Sequence, residues 1–354
     1  MKRFFSSRLL TSGLRTSVIW GHMFTVMVAD SPRLELRVPT EDSVPSGEAD
    51  VPMWKPEDLA KNLNWDLPTM GGRQFWGDIV FLSGWRIQHN VVTDHYRLLD
   101  SHDVRRAWGR EEECRAALKT FQEKGQIPKM SGRAVILVHG IIRSSKSFSS
   151  LTKRLAETGA TVVPFDYPST RVDLETSTGY LQKVIDSLEG IEEIDFVVHS
   201  MGGILVRSYL KATEQNPDPR LRRMVMMGVP NHGARIANLV KDLGAFKMIF
   251  GPAGQELVED VDGVIASLPK PRFEFGIIAG ARGTNDGWNP LIPGDDDGTV
   301  SVDSASLDGA RDTMTVPVLH SFIMTHPKAI EATVHFLDHG NFSEAPDENE
   351  AGAS

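Results

Sequence analysis

The chain has 354 residues, 40% apolar and 24% charged, with a formal net charge of -9 and a single cysteine. This is the composition of a globular protein with one large core. The acidic balance argues against a nucleic-acid groove, which needs a concentrated basic surface. One cysteine excludes an intrachain disulfide framework and a cysteine cluster for zinc.

Residues 1–64 read as a targeting-like or disordered arm. Lys2, Arg3, Arg8 and Arg15 precede the first acidic residue, Asp30, and the apolar stretch 18–29 is broken by Gly21 and His22. That stretch is too short to span a bilayer as a helix. A secretory signal, an organelle presequence and a translation start at Met23 or Met27 all fit it, with a cytoplasmic location as the default. Pro32, Pro39, Pro45, Pro52 and Pro56 then suppress any regular period.

Residues 65–130 read as an N-terminal extension. Short β-prone runs at 71–81, 85–90 and 95–100, separated by Gly, Asn and Asp, predict a small antiparallel meander. Residues 103–122 carry a helical period, with Ala107, Cys114, Leu118 and Phe121 on one side and Gly125 and Pro128 closing it. His89, His95 and His102 stand at mixed spacings on different predicted elements. They read as surface or hydrogen-bonded residues, and no metal site is expected.

Across residues 131–340 strand and helix alternate. Strands are expected at 134–138, 160–165, 194–198, 224–227, 275–279 and 314–319, and helices at 147–157, 174–188, 204–210 and 321–337. The order predicts an α/β fold with a doubly wound, mostly parallel sheet and right-handed crossovers. Residues from about 231 to 272 are too many for a plain connection and read as a helical cap insertion above the carboxyl edge of the sheet. Residues 341–354 form an acidic tail expected to fray.

The stretch His199-Ser200-Met201-Gly202-Gly203 lies between an apolar strand and a helix. Strand, sharp turn and helix with serine at the apex form a nucleophile elbow, in which small residues flank the serine. Val198 stands where the pattern has a glycine. Serine at neutral pH needs a base to take its proton and an acid to orient that base. Later strand ends offer both. His320 is the expected base; Asp297 in the run Asp295-Asp296-Asp297-Gly298, preceding the glycine that lets the loop turn back before Thr299-Val300 continue as an edge strand, is the expected acid, and Asp296 the reserve. The alternating acids and closing glutamate of a calcium loop are absent from that run. An oxyanion hole would use the backbone N–H of Met201, first residue of the elbow helix, and of Ile141 in Val138-His139-Gly140-Ile141. His139 reads as a loop brace, and His326 as a surface residue turned away from the site.

Taken together, Val138-His139-Gly140, the elbow, Pro230-Asn231-His232-Gly233, Asp297-Gly298-Thr299-Val300 and His320-Ser321-Phe322 resemble the α/β-hydrolase superfamily, particularly bacterial lipase- and esterase-like members, over residues 130–340. The resemblance implies a serine hydrolase of carboxylic esters that needs no cofactor, with Ser200 as nucleophile, His320 as base and Asp297 as its acid. It implies also that Asn231-His232-Gly233 lines the site without joining the triad. The expected partner is a small-molecule or lipid ester, with transient contact at a lipid interface; no nucleic acid and no stable protein partner are implied. Acyl transfer or amide cleavage would use the same residues. An inactive fold serving as a binding module is the reading from another class.

Overall fold

The computed structural model describes residues 73–232 and 265–342. The N-terminal arm, most of the expected cap and nearly all of the acidic tail lie outside the described residues. Among those described, ten strands form two sheets. The first is an antiparallel meander of β1 (Trp76–Leu82), β2 (Trp85–Asn90), β3 (Tyr96–Leu99) and β4 (Arg105–Gly109), in that spatial order. Helix α1 (Glu111–Glu123) follows.

The second sheet is parallel. Its strands β5 (Gly132–Val138), β6 (Thr161–Phe165), β7 (Ile191–His199), β8 (Leu221–Met227), β9 (Glu274–Gly280) and β10 (Asp312–Val316) stand in the order β10-β9-β8-β7-β5-β6. Between them run α2 (Ser149–Ala156), α3 (Leu174–Asp186), α4 (Met201–Ala212) and the short α5 (Val302–Ala305), and α6 (Pro327–His339) closes the described chain. The chain starts on β5, steps to one edge at β6, returns past β5 to β7 and then runs outward to β10. That reversal puts helices on both faces of the sheet.

Alternate side chains of the central strands feed two cores. Ile136, Val138, Phe196, Val198, Met224 and Met226 pack with Leu181, Val184 and Ile185 of α3 and Ile204 and Leu205 of α4. Val135, Leu137, Val197, Val225 and Met227 pack on the other face with Leu151 and Leu155 of α2 and Phe336 and Leu337 of α6. Continuous apolar strands are what a sheet covered on both faces requires. The meander belongs to the first of these cores, because Ile79, Phe81, Ile87, Leu98, Cys114 and Leu118 join the same cluster. Burial pushes the Cys114 thiol up to about 12, so it packs as a small apolar group.

Three expectations are corrected. The single helix expected over 103–122 is a strand followed by a helix. Arg97 and Leu98 pair with Trp108 and Ala107, and the helix starts only where the Arg110 N–H meets the Glu113 carboxylate at 2.8 Å. The β-prone Trp108 and the edge of β3 outweigh the helical period of the preceding residues. The helix expected over 321–337 is also divided, into a 3-10 segment His320–Thr325 and α6, because Pro327 occupies the first turn and fixes a new start. Thr299 and Val300 were expected to continue as an edge strand. They form a bend instead, with only an isolated bridge between Asp296 and Ser301.

A buried polar cluster ties the meander to the parallel sheet. The Asp78 carboxylate accepts from Asp166 N at 2.7 Å and from Gln88 Nε2 at 2.6 Å, and Asp78 N donates to Asp166 O at 2.9 Å. Arg86 bonds to the Asp103 and Asp166 carboxylates. Burial pushes the Asp78 carboxyl up to about 6; Asp166 adds to the shift and Arg86 opposes it. The folded chain therefore holds this proton more tightly than the unfolded one. The stabilisation is complete below the ordinary carboxylate range and is lost as pH rises through about 6. Asp78→Asn is accordingly expected to gain stability relative to the parent between pH 4 and pH 7.5, read as the shift in denaturant midpoint at each pH. A difference independent of pH would contradict the assignment.

Candidate active site

At the end of β7 the chain turns so sharply that Ser200 sits at φ 53° and ψ -127°, a conformation L-residues rarely adopt, before α4 begins at Met201. The turn needs small neighbours. A Cβ on Gly202 would run into the Val138 carbonyl and lie 2.8 Å from the His139 carbonyl; one on Gly203 would press on the Val229 methyls. Val198, where the pattern has glycine, is fully buried on the α4 side of the sheet, in register with Val138 and Met226. Its side chain is part of the core and does not obstruct the turn.

From this apex a chain of hydrogen bonds runs across the carboxyl edge. Ser200 Oγ is 3.0 Å from His320 Nε2, and His320 Nδ1 is 2.7 Å from Asp297 Oδ2. The Asp297 side chain is 1% exposed, so this contact is shielded from water. The other carboxylate oxygen, Oδ1, accepts from Thr299 N at 2.9 Å and Val300 N at 2.7 Å. Backbone closes the loop over it, since His320 N donates to Asp297 O at 2.8 Å. Asp296 points elsewhere, accepting from Gly298 N and Asn289 N. The structure thus brings Ser200, His320 and Asp297 together and leaves Asp296 as a brace of its own loop.

His199 has a part that its place in the motif did not reveal. Its Nε2 donates to the His320 carbonyl at 2.9 Å, and its Nδ1 is buried without a hydrogen-bond partner. Burial first, and then the neighbouring His320, hold this imidazole well below its usual range, so it is neutral and fixes the backbone of His320. His139 braces as expected: Nδ1 donates to Gly140 O, Nε2 accepts from Tyr167 N, and the ring stacks on Tyr167. Asn231 is buried, accepts from Arg207 Nη1 at 3.2 Å and donates to Ala305 O at 2.9 Å. It ties α4 to α5 and bonds to none of Ser200, His320 and Asp297. Gly233 lies outside the described residues. His326 is half-buried at the start of α6, with Nδ1 unpartnered, where a surface position was expected.

The Met201 N–H belongs to the open first turn of α4, whose leading donors have no partner within the helix. Ile141 lies in the turn after β5, directly after Gly140, on which a Cβ would be 3.0 Å from Ser200 Cβ. The next residue, Ile142, is held at φ 62°, an outlier for a β-branched residue.

Strand order, a strained serine between β7 and α4, and Asp297 and His320 following it in that chain order decide the architecture. The fold is that of the α/β-hydrolases. A family model described as Domain of unknown function (DUF7379) matches residues 96–267, less than half of the chain, and includes Ser200 but neither Asp297 nor His320. No curated protein matches the sequence. Similar solved structures include the mature form of the Bacillus licheniformis lipase BlEst2, at 18% identity and TM-score 0.42, covering 60% of this chain and 93% of that one. The product of gene lin2722 from Listeria innocua is 19% identical with a TM-score of 0.42, covering 59% and 95% of the two chains. Lipase B of Aspergillus fumigatus is 15% identical with a TM-score of 0.41, covering 59% and 53%. The fold assignment rests on this chain's own topology and elbow.

Proposed function

We propose that this α/β-hydrolase cleaves carboxylic esters by covalent catalysis at Ser200. The observation that carries the reading is the unbroken hydrogen-bonded chain from Ser200 Oγ through the His320 ring to Asp297 Oδ2, with the serine on a strained elbow. In the reaction, His320 Nε2 takes the hydroxyl proton as Oγ attacks the ester carbonyl. Asp297 holds the Nδ1–H tautomer and stabilises the imidazolium that forms. The developing oxyanion is met by the Met201 and Ile141 N–H groups; one such donor is worth about 3 kcal/mol in the transition state. The tetrahedral intermediate collapses as His320 returns the proton to the departing alcohol. Water, deprotonated by the same nitrogen, then releases the acid from Ser200.

Apolar side chains near these groups favour an apolar substrate. Ile142 next to the Ile141 donor, Leu319 next to His320 and Phe322 two residues on are all exposed. Together they support an ester with an apolar acyl group and transient contact with a lipid interface. A fluorophosphonate probe tests the reading. The parent protein should form an adduct on the peptide carrying Ser200 and hydrolyse p-nitrophenyl esters, and Ser200→Ala should do neither. A panel of increasing acyl length, with and without vesicles, reads the substrate preference. A folded parent that neither labels nor hydrolyses would leave the binding-module reading in its place.

A further inference from the structure

The antiparallel meander has no counterpart in the proposed reaction, yet its first residues reach the loop that carries Ile141. Gln74, just before β1, donates from Nε2 to Arg143 O at 2.8 Å. Its Oε1 accepts from Ser169 Oγ at 3.1 Å and from Thr170 Oγ1 at 3.3 Å. Ser169 is fully buried, and its Oγ in turn accepts the N–H of Ile142 at 3.1 Å, the residue at φ 62°. Further along the same loop, Ser145 donates from N and Oγ to the Asp166 carboxylate at 2.7 and 2.9 Å, and Asp166 is bound to Asp78 of β1. The loop between Gly140 and Ser145 is therefore pinned at two points by side chains that themselves end on the meander.

A β-branched residue stays at positive φ only when its surroundings over-determine it. Here the surroundings are Ser169 and, behind it, Gln74. An oxyanion donor contributes only if its direction is fixed before charge develops, and a displacement of about 1 Å lowers the rate about 100-fold. We infer that Gln74, acting through Ser169 and the Arg143 carbonyl, is a positioning residue for the oxyanion hole, so that the meander is part of the catalytic apparatus. The inference rests on the hydrolase reading above. It adds to that reading a role for a region outside the parallel sheet.

The test compares the parent with Gln74→Ala, Ser169→Ala and the double variant, using a p-nitrophenyl ester and a boronic acid that mimics the tetrahedral intermediate. Gln74→Ala is expected to lower kcat by about 10- to 100-fold with KM within about twofold, and to weaken the boronic acid by the same factor as kcat/KM. Because the two residues act in series, the double variant should lose little more than the worse single one. Folding is checked by thermal melting, and Ser169→Ala carries the test if Gln74→Ala does not fold. A folded variant with parental kcat and parental boronic-acid affinity, whatever its melting point, overturns the inference and leaves the hydrolase reading standing. A parent that neither labels nor turns over removes both.

Discussion

His320→Ala is expected to lower ester kcat by about 10⁵- to 10⁶-fold while the protein keeps its fold. Among the described residues the ring alone touches both Ser200 Oγ and Asp297 Oδ2, so in the proposed mechanism its loss removes proton acceptor, proton donor and the partner of the acid together. The backbone has independent support, since His199 Nε2 grips the residue's carbonyl and Asp297 O accepts its N–H. Asp297→Asn should be milder, about 10⁴-fold, for a reason visible in the loop. Thr299 and Val300 both donate to Oδ1, so the amide oxygen must stay there and its NH₂ must face His320 Nδ1. That forces the proton of the ring onto Nε2, where it can no longer accept from serine. Stopped assays of kcat and KM for both variants check the ranking; near-parental turnover in His320→Ala would take the imidazole out of the mechanism.

The largest effect on stability is expected from Gly202→Ala, at about 3 kcal/mol. Its new methyl would collide with the carbonyls of Val138, the last residue of a central strand that cannot step aside, and of His139 just after it. Gly203→Ala meets the Val229 side chain instead, which can give way, so the loss there should be smaller. Gly179 in α3 has nothing within 4 Å of such a methyl, and alanine there should stabilise by up to about 1 kcal/mol. Denaturant midpoints of the three variants should fall in that order. A neutral Gly202→Ala would mean that the elbow does not press on β5.

The parallel sheet and the elbow were legible because each is written in neighbouring residues: an apolar run, a turn, a helical period. The choice between Asp296 and Asp297 was made on the glycine that follows, and the structure separates the two by which backbone N–H groups each carboxylate caps. No period in the sequence carries that information. Local pattern failed where two elements meet without a gap, as at Gly109 and Arg110, and where Pro327 restarts a helix inside an apolar run. The contacts of His199 and Gln74 lay out of reach for another reason. Their partners stand 121 and 69 positions away, and only the assembled sheet edge brings them close.

The shared core also bears on how this protein can be cut down. Starting the chain at residue 131, where alternation begins, would remove β1, which packs on α3, and take Ile79, Phe81, Ile87 and Leu98 out of the core they share with Leu181, Val184 and Ile185. Asp166 would lose the backbone pairing that fastens it to its neighbour. Such a fragment would hold all three members of the proton chain and still be sticky and loosely built, so a minimal catalytic piece has to begin before Gln74.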